Sequence, residues 1–411
     1  MIRLDNAYRH SLVFFAVVIF FTSVANYTER YGLIPLFWIF VFAAASGPLV
    51  LSKLASGHAH LMPIAFWCAS FLFVTITWYY WSPQDAIASQ EVQTRLLSVI
   101  FLAVALVVFS DKEEQQLAQR WIAAAVLLAV ALNVYELFHP LTFSDIPGRS
   151  QGLYPNVNQS GAALVLGLIL SYQVIPDRLK LAFVGITAVG VIPTFSRSAM
   201  IGWLIVVAFF FMRAGVVAQF RRLAVLTVVV VGLIASPVWV DLQQTLEQRG
   251  VLNLDVVGRI AFFTGGQSED ASSTERKAVA DAAWNLFGQR PLTGWGTNAS
   301  NRMEGFDVGT HNIYLALMAD HGILGLLLLP ALLLSVLWGV NRRSFDQVFP
   351  WMMFMLVWGM FSHNILEERY ILLATALTAS IVASRRTREE PGPELASPVK
   401  PGTLATLSPA S

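Results

Sequence analysis

Residues 323–340 read ILGLLLLPALLLSVLWGV, a run without one charged side chain. As an α-helix rising about 1.5 Å per residue it would be about 27 Å long, close to the roughly 30 Å hydrocarbon thickness of a bilayer. A helix at the surface of a soluble domain keeps a polar face; this stretch has none, so lipid or protein must surround it. Further apolar runs, bounded by charged or turn residues, lie at 10–26, 33–51, 61–81, 95–110, 120–138, 161–175, 179–195, 199–212, 222–240, 349–365 and 370–384. With 323–340 they predict an all-α polytopic membrane protein of about twelve transmembrane helices. The composition agrees. Of 411 residues 56% are hydrophobic and 13% charged, whereas soluble domains carry charge at about a quarter of positions.

Charge placement gives the orientation. An even number of spans puts both termini on one side, and Lys and Arg accumulate in short cytoplasmic loops. One set of connections holds Lys53, Lys112, Arg120, Arg178, Lys180, Arg213, Arg221, Arg222, Arg342, Arg343, Arg385, Arg386 and Arg388, which predicts cytoplasmic termini. The opposite short loops carry Arg30, Arg95 and Arg369 against Glu29, Asp85, Glu91, Glu367 and Glu368. The small-residue sequence Ser23-Val24-Ala25 imitates a secretory cleavage site, but a retained first helix is the preferred reading. A net charge of +1 gives no sign of a nucleic-acid partner, and Cys68, the single cysteine, can form no intramolecular disulfide.

The expected organisation is therefore helices one to nine in 1–240, a helical outward insertion in 241–322, helices ten to twelve in 323–384, and a disordered Pro/Ala/Ser-rich cytoplasmic tail in 385–411. Within the insertion, Ser272 with Glu275 resembles a capping box, and Val279, Ala280, Ala283 and Phe287 recur at helical spacing with Arg276 on the same stripe. A cation facing inward needs an anion to meet it. A second helix starts at His311-Asn312 and is expected to break at Gly322, because a continuous helix from 312 to 340 would be about 43 Å long and would bury Asp320.

The outward side then offers Arg149, Arg197, Arg276 and His311. Planar guanidinium groups at an apolar–polar boundary suit a phosphate or diphosphate, and a histidine beside them is a natural proton acceptor near neutral pH, since nearby cations lower its pKa. Simpler roles stay open. Arg149 could be a solvated surface charge, Arg197 could reach lipid phosphate, Arg276 could pair with Asp281 or Glu275, and His311 could cap its helix. Tyr154, Asn156, Asn158 and Gln159 could bind sugar hydroxyls or simply form turns, and His363 and Glu367 are weaker candidates. There is no phosphate-binding G-x-x-x-x-G-K-[ST] loop, no Asp-x-Asp pair and no zinc-like cluster, so no metal and no cofactor is expected.

The spacing His311-Asn312, nine residues, Gly322, two residues, Gly325 resembles the His-Asn…Gly-x-x-Gly signature of the O-antigen ligase and polymerase family of bacterial inner membranes. Thr194-Phe195-Ser196-Arg197 is similar to that family's Ser-Arg turn, and Arg276…Trp284…Pro291-Leu292-Thr293-Gly294-Trp295-Gly296 to its Arg…Trp…Pro-Leu-x-Gly-x-Gly stretch. Tyr154-Pro155-Asn156-Val157-Asn158-Gln159-Ser160-Gly161 resembles the preceding loop. The resemblance spans about 148–340. It implies a GT-C-like fold and metal-independent, inverting transfer of an undecaprenyl-diphosphate-linked glycan to lipid A-core at the periplasmic face. In that reading Arg197 and Arg276 hold the diphosphate and His311 deprotonates the acceptor, with Arg149, Tyr154, Asn156, Asn158, Gln159, Ser196 and Asn312 as substrate-binding candidates. A polymerase or a protein (pilin) glycosyltransferase is the alternative within the family. A lipid-linked glycan flippase is the alternative from another class, which would need ionisable groups near the midplane.

Overall fold

The computed structural model describes residues 5–54, 62–213, 244–251, 253, 256–258, 271–303 and 309–386. Its elements are α1 (Asn6–Ala16), continued by a π-turn Val17–Phe21, then α2 (Pro35–Leu54), α3 (Met62–Trp81), α4 (Ala86–Val108) and α5 (Lys112–Phe138). There follow α6 (Val157–Ser171), α7 (Asp177–Val191), α8 (Arg197–Arg213), α9 (Ala271–Gln289), α10 (Ile313–His321), α11 (Ile323–Leu337), α12 (Arg342–Gly359) and α13 (Arg369–Arg386). No strand occurs among the described residues.

The chain is a helical membrane protein by length and hydropathy. Four helices, at Pro35–Lys53, Pro63–Trp81, Ala86–Val108 and Lys112–Phe138, are long and apolar enough to cross a bilayer. A fifth candidate is the pair Asn6–Phe21 and Val24–Tyr31, bent by 58°. The bend falls at Ser23, whose φ of 63° breaks the ladder, so the expected straight span 10–26 is a broken one. Helices also fall at the other apolar runs read from the sequence, apart from 222–240, which lies outside the described residues, as does the tail from 387 onward.

Burial explains the short helices. At 15 residues, α6 is about 22 Å long, less than the hydrocarbon core. It is buried along nearly its whole length, and so is α13. These two form the centre, α6 packing on α5, α7, α8, α12 and α13. The outer helices turn Phe37, Phe40, Phe66 and Phe73 outward, as expected where lipid is the solvent. At one end of the bundle Glu114 binds Arg9 at 2.9 Å, and Asp111 binds Lys53 at 2.8 Å and also Arg9. The other end carries the loops that build the candidate site.

One boundary differs from the sequence reading. Residues 86–94, expected as an outward loop, are helical because Asp85 caps α4, its Oδ1 accepting from the Ala88 N–H at 2.9 Å. Arg95 is therefore a buried helix residue, 4% exposed, and not a loop charge. The helix from His311 breaks as expected at Gly322, which adopts φ 64° and ψ −148° between α10 and α11.

Candidate active site

The loop from 139 to 156 is organised by Glu136, buried at the end of α5. Its carboxylate accepts main-chain N–H groups from Phe143 at 2.8 Å, Gln151 at 2.8 Å, Gly152 at 3.1 Å and also Ser144. One carboxylate thus satisfies the donors that an irregular segment would otherwise leave unpaired at the membrane boundary. Sequence reasoning missed this residue, because nothing in the apolar run 120–138 announces where its carboxylate points.

Arg149 sits in that loop and is buried. Its Nε donates to the Thr194 carbonyl at 3.0 Å, and Nη2 donates to the Phe195 carbonyl at 3.4 Å and Asn158 Oδ1 at 3.3 Å. The turn it grips is the one that carries Arg197. Phe195 there has φ 45°, and the Ser196 hydroxyl accepts from the Ala199 N–H at 3.4 Å at the start of α8. Arg197 itself is half-buried at the first position of that helix. Arg149 thereby positions the Arg197 turn.

The remaining candidates of this loop have protein partners. Tyr154 is 4% exposed, donates to the Phe21 carbonyl at 2.6 Å and meets the Tyr370 ring at 5.8 Å; it is a core side chain. Asn156 caps α6, accepting from the N–H groups of Asn158 and Gln159, each at 3.0 Å. Gln159 donates to Glu368, which ties this loop to the segment between α12 and α13.

Across that tie lie the other residues. Asn312 caps α10, accepting from Tyr314 N–H at 2.9 Å and Leu315 N–H at 3.2 Å, so His311 projects from the turn just before the helix, where it is exposed. The α9 helix packs on α10 through Val279, Ala283 and Leu315. Arg276 is exposed, not turned into the apolar stripe as its spacing implied. It nevertheless lies near His311: burial lowers the histidine's pKa, the Arg276 charge lowers it further, and Glu275 opposes both. His363, a weaker candidate from the sequence, has its ring centroid 5.6 Å from that of His311.

The motif glycines are architectural. Trp295 and Gly296 donate backbone N–H bonds to the carbonyls of Ala319 at 2.9 Å and Asp320 at 3.0 Å, and Ile323 N–H donates to Pro291 O at 2.8 Å. The stretch 291–296 is thus packed against the end of α10. Asp320 accepts from the N–H groups of Asn298 at 3.1 Å and Ser300 at 2.8 Å, which fixes the turn at 298–300.

The structure gathers Arg276, His311 and His363 in one group, and Arg149, Asn158, Ser196 and Arg197 in a second, with Gln159–Glu368 joining them. A search of curated proteins found no match to this chain. Residues 182–330, which hold Arg197, Arg276 and His311, match the family model described as O-antigen ligase, so this segment is similar to that family.

Proposed function

We propose that this protein transfers a glycan from an undecaprenyl-diphosphate carrier to lipid A-core at the periplasmic face of a bacterial inner membrane. The reading takes the chain as a twelve-span, GT-C-like protein with cytoplasmic termini and residues 241–322 as its periplasmic insertion. Arg197 and Arg276 hold the diphosphate, whose charge grows as the glycosyl bond breaks. Fixed cations there stabilise the transition state without reorganising solvent. His311 takes the acceptor hydroxyl's proton as its oxygen attacks the anomeric carbon with inversion. Asn158, Gln159, Ser196 and Asn312 line or shape the approach, Arg149 holds the Arg197 turn, and no metal is needed.

The observation that carries this reading is the nearness of Arg276 to His311 inside the family-matched segment. A cation beside the imidazole keeps it unprotonated, ready to accept a proton at neutral pH. Purified protein given a lipid-diphosphate glycan with lipid A-core, carrier-linked glycan or pilin in separate reactions tests it. Extension of lipid A-core supports the ligase; extension of either other acceptor instead replaces it with a polymerase or a protein glycosyltransferase.

The electrostatics make a directional prediction. Activity requires neutral His311, so it falls as pH drops through a pKa lying below the ordinary 6.5. In Glu275→Gln a charge that raises this pKa is gone, and the acid limb of the pH–rate profile should move to lower pH. In Arg276→Gln the opposing charge is gone, and the limb should move to higher pH, on top of a lower maximum. Profiles of kcat/KM from pH 5 to 8 check both; limbs that coincide with wild type contradict the assignment of His311 as base.

A further inference from the structure

Behind His311 lies a set of ionisable side chains that the transfer just described does not use. The His311 and His363 rings are tilted by 57°, and the two segments are held together by the Ile313 N–H donating to the Ser362 carbonyl at 3.1 Å. His363 also lines a partly open cavity of about 40 Å³ together with Glu91, Arg95, Asp320, Asn364 and Glu367. A water needs roughly 10–15 Å³ and polar partners, so this space can hold a short water chain.

Glu91 and Glu367 line this cavity together. Burial and the Glu91 charge hold the Glu367 carboxyl well above the usual carboxylate range, so the pair carries one proton and can take one more. Arg95 braces the arrangement, bonding Glu91 at 2.7 Å, His321 Nε2 at 2.6 Å and Asp320 at 3.5 Å. Three carboxyl groups therefore face one guanidinium. The other charges around the line are Glu275 and Arg276 on α9 and Glu368 and Arg369 at the start of α13.

A base beside an arginine has a difficulty. Its neutral form is favoured, but the imidazolium it becomes is then repelled by the same charge. A negative group on the far side removes the difficulty by giving the proton somewhere to go.

We propose that His363 and the carboxyl pair Glu91–Glu367 lining the same cavity form a proton relay behind His311, an inference that rests on the reading of His311 as the base. The acceptor O–H bond breaks as the new C–O bond forms, and its proton goes to His311. The electron pair of the old glycosyl C–O bond leaves with the diphosphate. The proton then passes by way of His363 and the cavity to the carboxyl pair, which becomes neutral and later releases it to solvent. His363 and Glu367 are positioning residues here, since neither touches substrate. Burial and the neighbouring His311 push His363 down to about 4, so it rests unprotonated and readily passes on a proton it receives.

The test uses the full-length protein in nanodiscs with lipid-diphosphate glycan and the acceptor it extends. His363→Ala and Glu367→Gln should lower kcat by on the order of 10- to 100-fold, as losing the partner behind a reacting imidazole does, with donor KM unchanged. Added imidazole should restore part of the rate to H363A and none to wild type, and Glu367→Asp should outperform E367Q. Wild-type turnover in H363A and E367Q overturns the relay, and so does a loss that neither imidazole nor aspartate relieves. If E367Q does not insert, the imidazole response of H363A decides. A fully active His311→Ala variant would sink the base reading itself; an inactive H311A with wild-type relay variants would sink the relay alone.

Discussion

Replacing His311 with alanine is expected to lower glycan transfer by roughly 10²–10⁴-fold, the range contributed by a positioned proton acceptor. The fold should not notice. His311 is exposed, it precedes α10 and does not lie within it, and the cap of that helix is the neighbouring Asn312; surface substitutions of this kind usually change stability by less than about 0.5 kcal/mol. Donor binding should also persist, because the proposed diphosphate contacts are Arg197 and Arg276. The expected signature is a loss in kcat with unchanged donor KM and an unchanged melting temperature in detergent. A variant that transfers at the wild-type rate would remove His311 from the chemistry.

A large structural effect should come from Gly322→Ala. Gly322 adopts φ 64° and ψ −148°, a combination essentially reserved for glycine that costs other residues about 1–3 kcal/mol. A Cβ there would also stand 2.5 Å from the Leu292 carbonyl carbon and 2.7 Å from the Pro291 oxygen. Overpacking against backbone adds about 1–3 kcal/mol, since neither segment can rotate away as a side chain would. The sum, about 2–6 kcal/mol, is a large share of an ordinary domain's stability. It should appear as a lower melting temperature and reduced recovery of inserted protein. Gly185→Ala in α7 is the control, because a Cβ at that position meets nothing within 4 Å. Equal melting of G322A and wild type would contradict the packing described for 291–296 against α10.

These two positions also mark what could be read in advance. The helices were legible because apolar runs in a chain with 13% charge have few alternatives. The break at Gly322 followed from length and from the cost of burying Asp320 in a span. The start of α4 was missed, although Asp85 carried the signal, because the polar sequence after it hid a helix that packs inside the bundle. The same miss placed Arg95 among the loop charges, although with Glu91 it belongs to α4.

Within the site, residue type and spacing identified Arg197, Arg276 and His311 as candidates but could not show their company. Arg149 turned out to grip main-chain carbonyls at Thr194 and Phe195, and the Tyr154 hydroxyl is directed to Phe21. Carbonyls have no signature in a sequence, so such roles appear only when the chain is folded. His363 is the converse case. It meets His311 through the packing of two segments far apart in the chain.

The proposed chemistry is cleavage of a glycosyl–diphosphate bond assisted by the Arg197 and Arg276 guanidinium groups. Its most direct measurement is release of carrier diphosphate and formation of extended acceptor by purified protein in detergent, with no membrane gradient, comparing wild type with an Arg197→Ala/Arg276→Ala double variant of equal melting temperature. Product from wild type and a loss of at least roughly 10²–10³-fold in the variant is the expected result. Equal rates in the two, or a wild-type protein that moves the carrier-linked glycan across vesicles without cleaving it, would contradict the account.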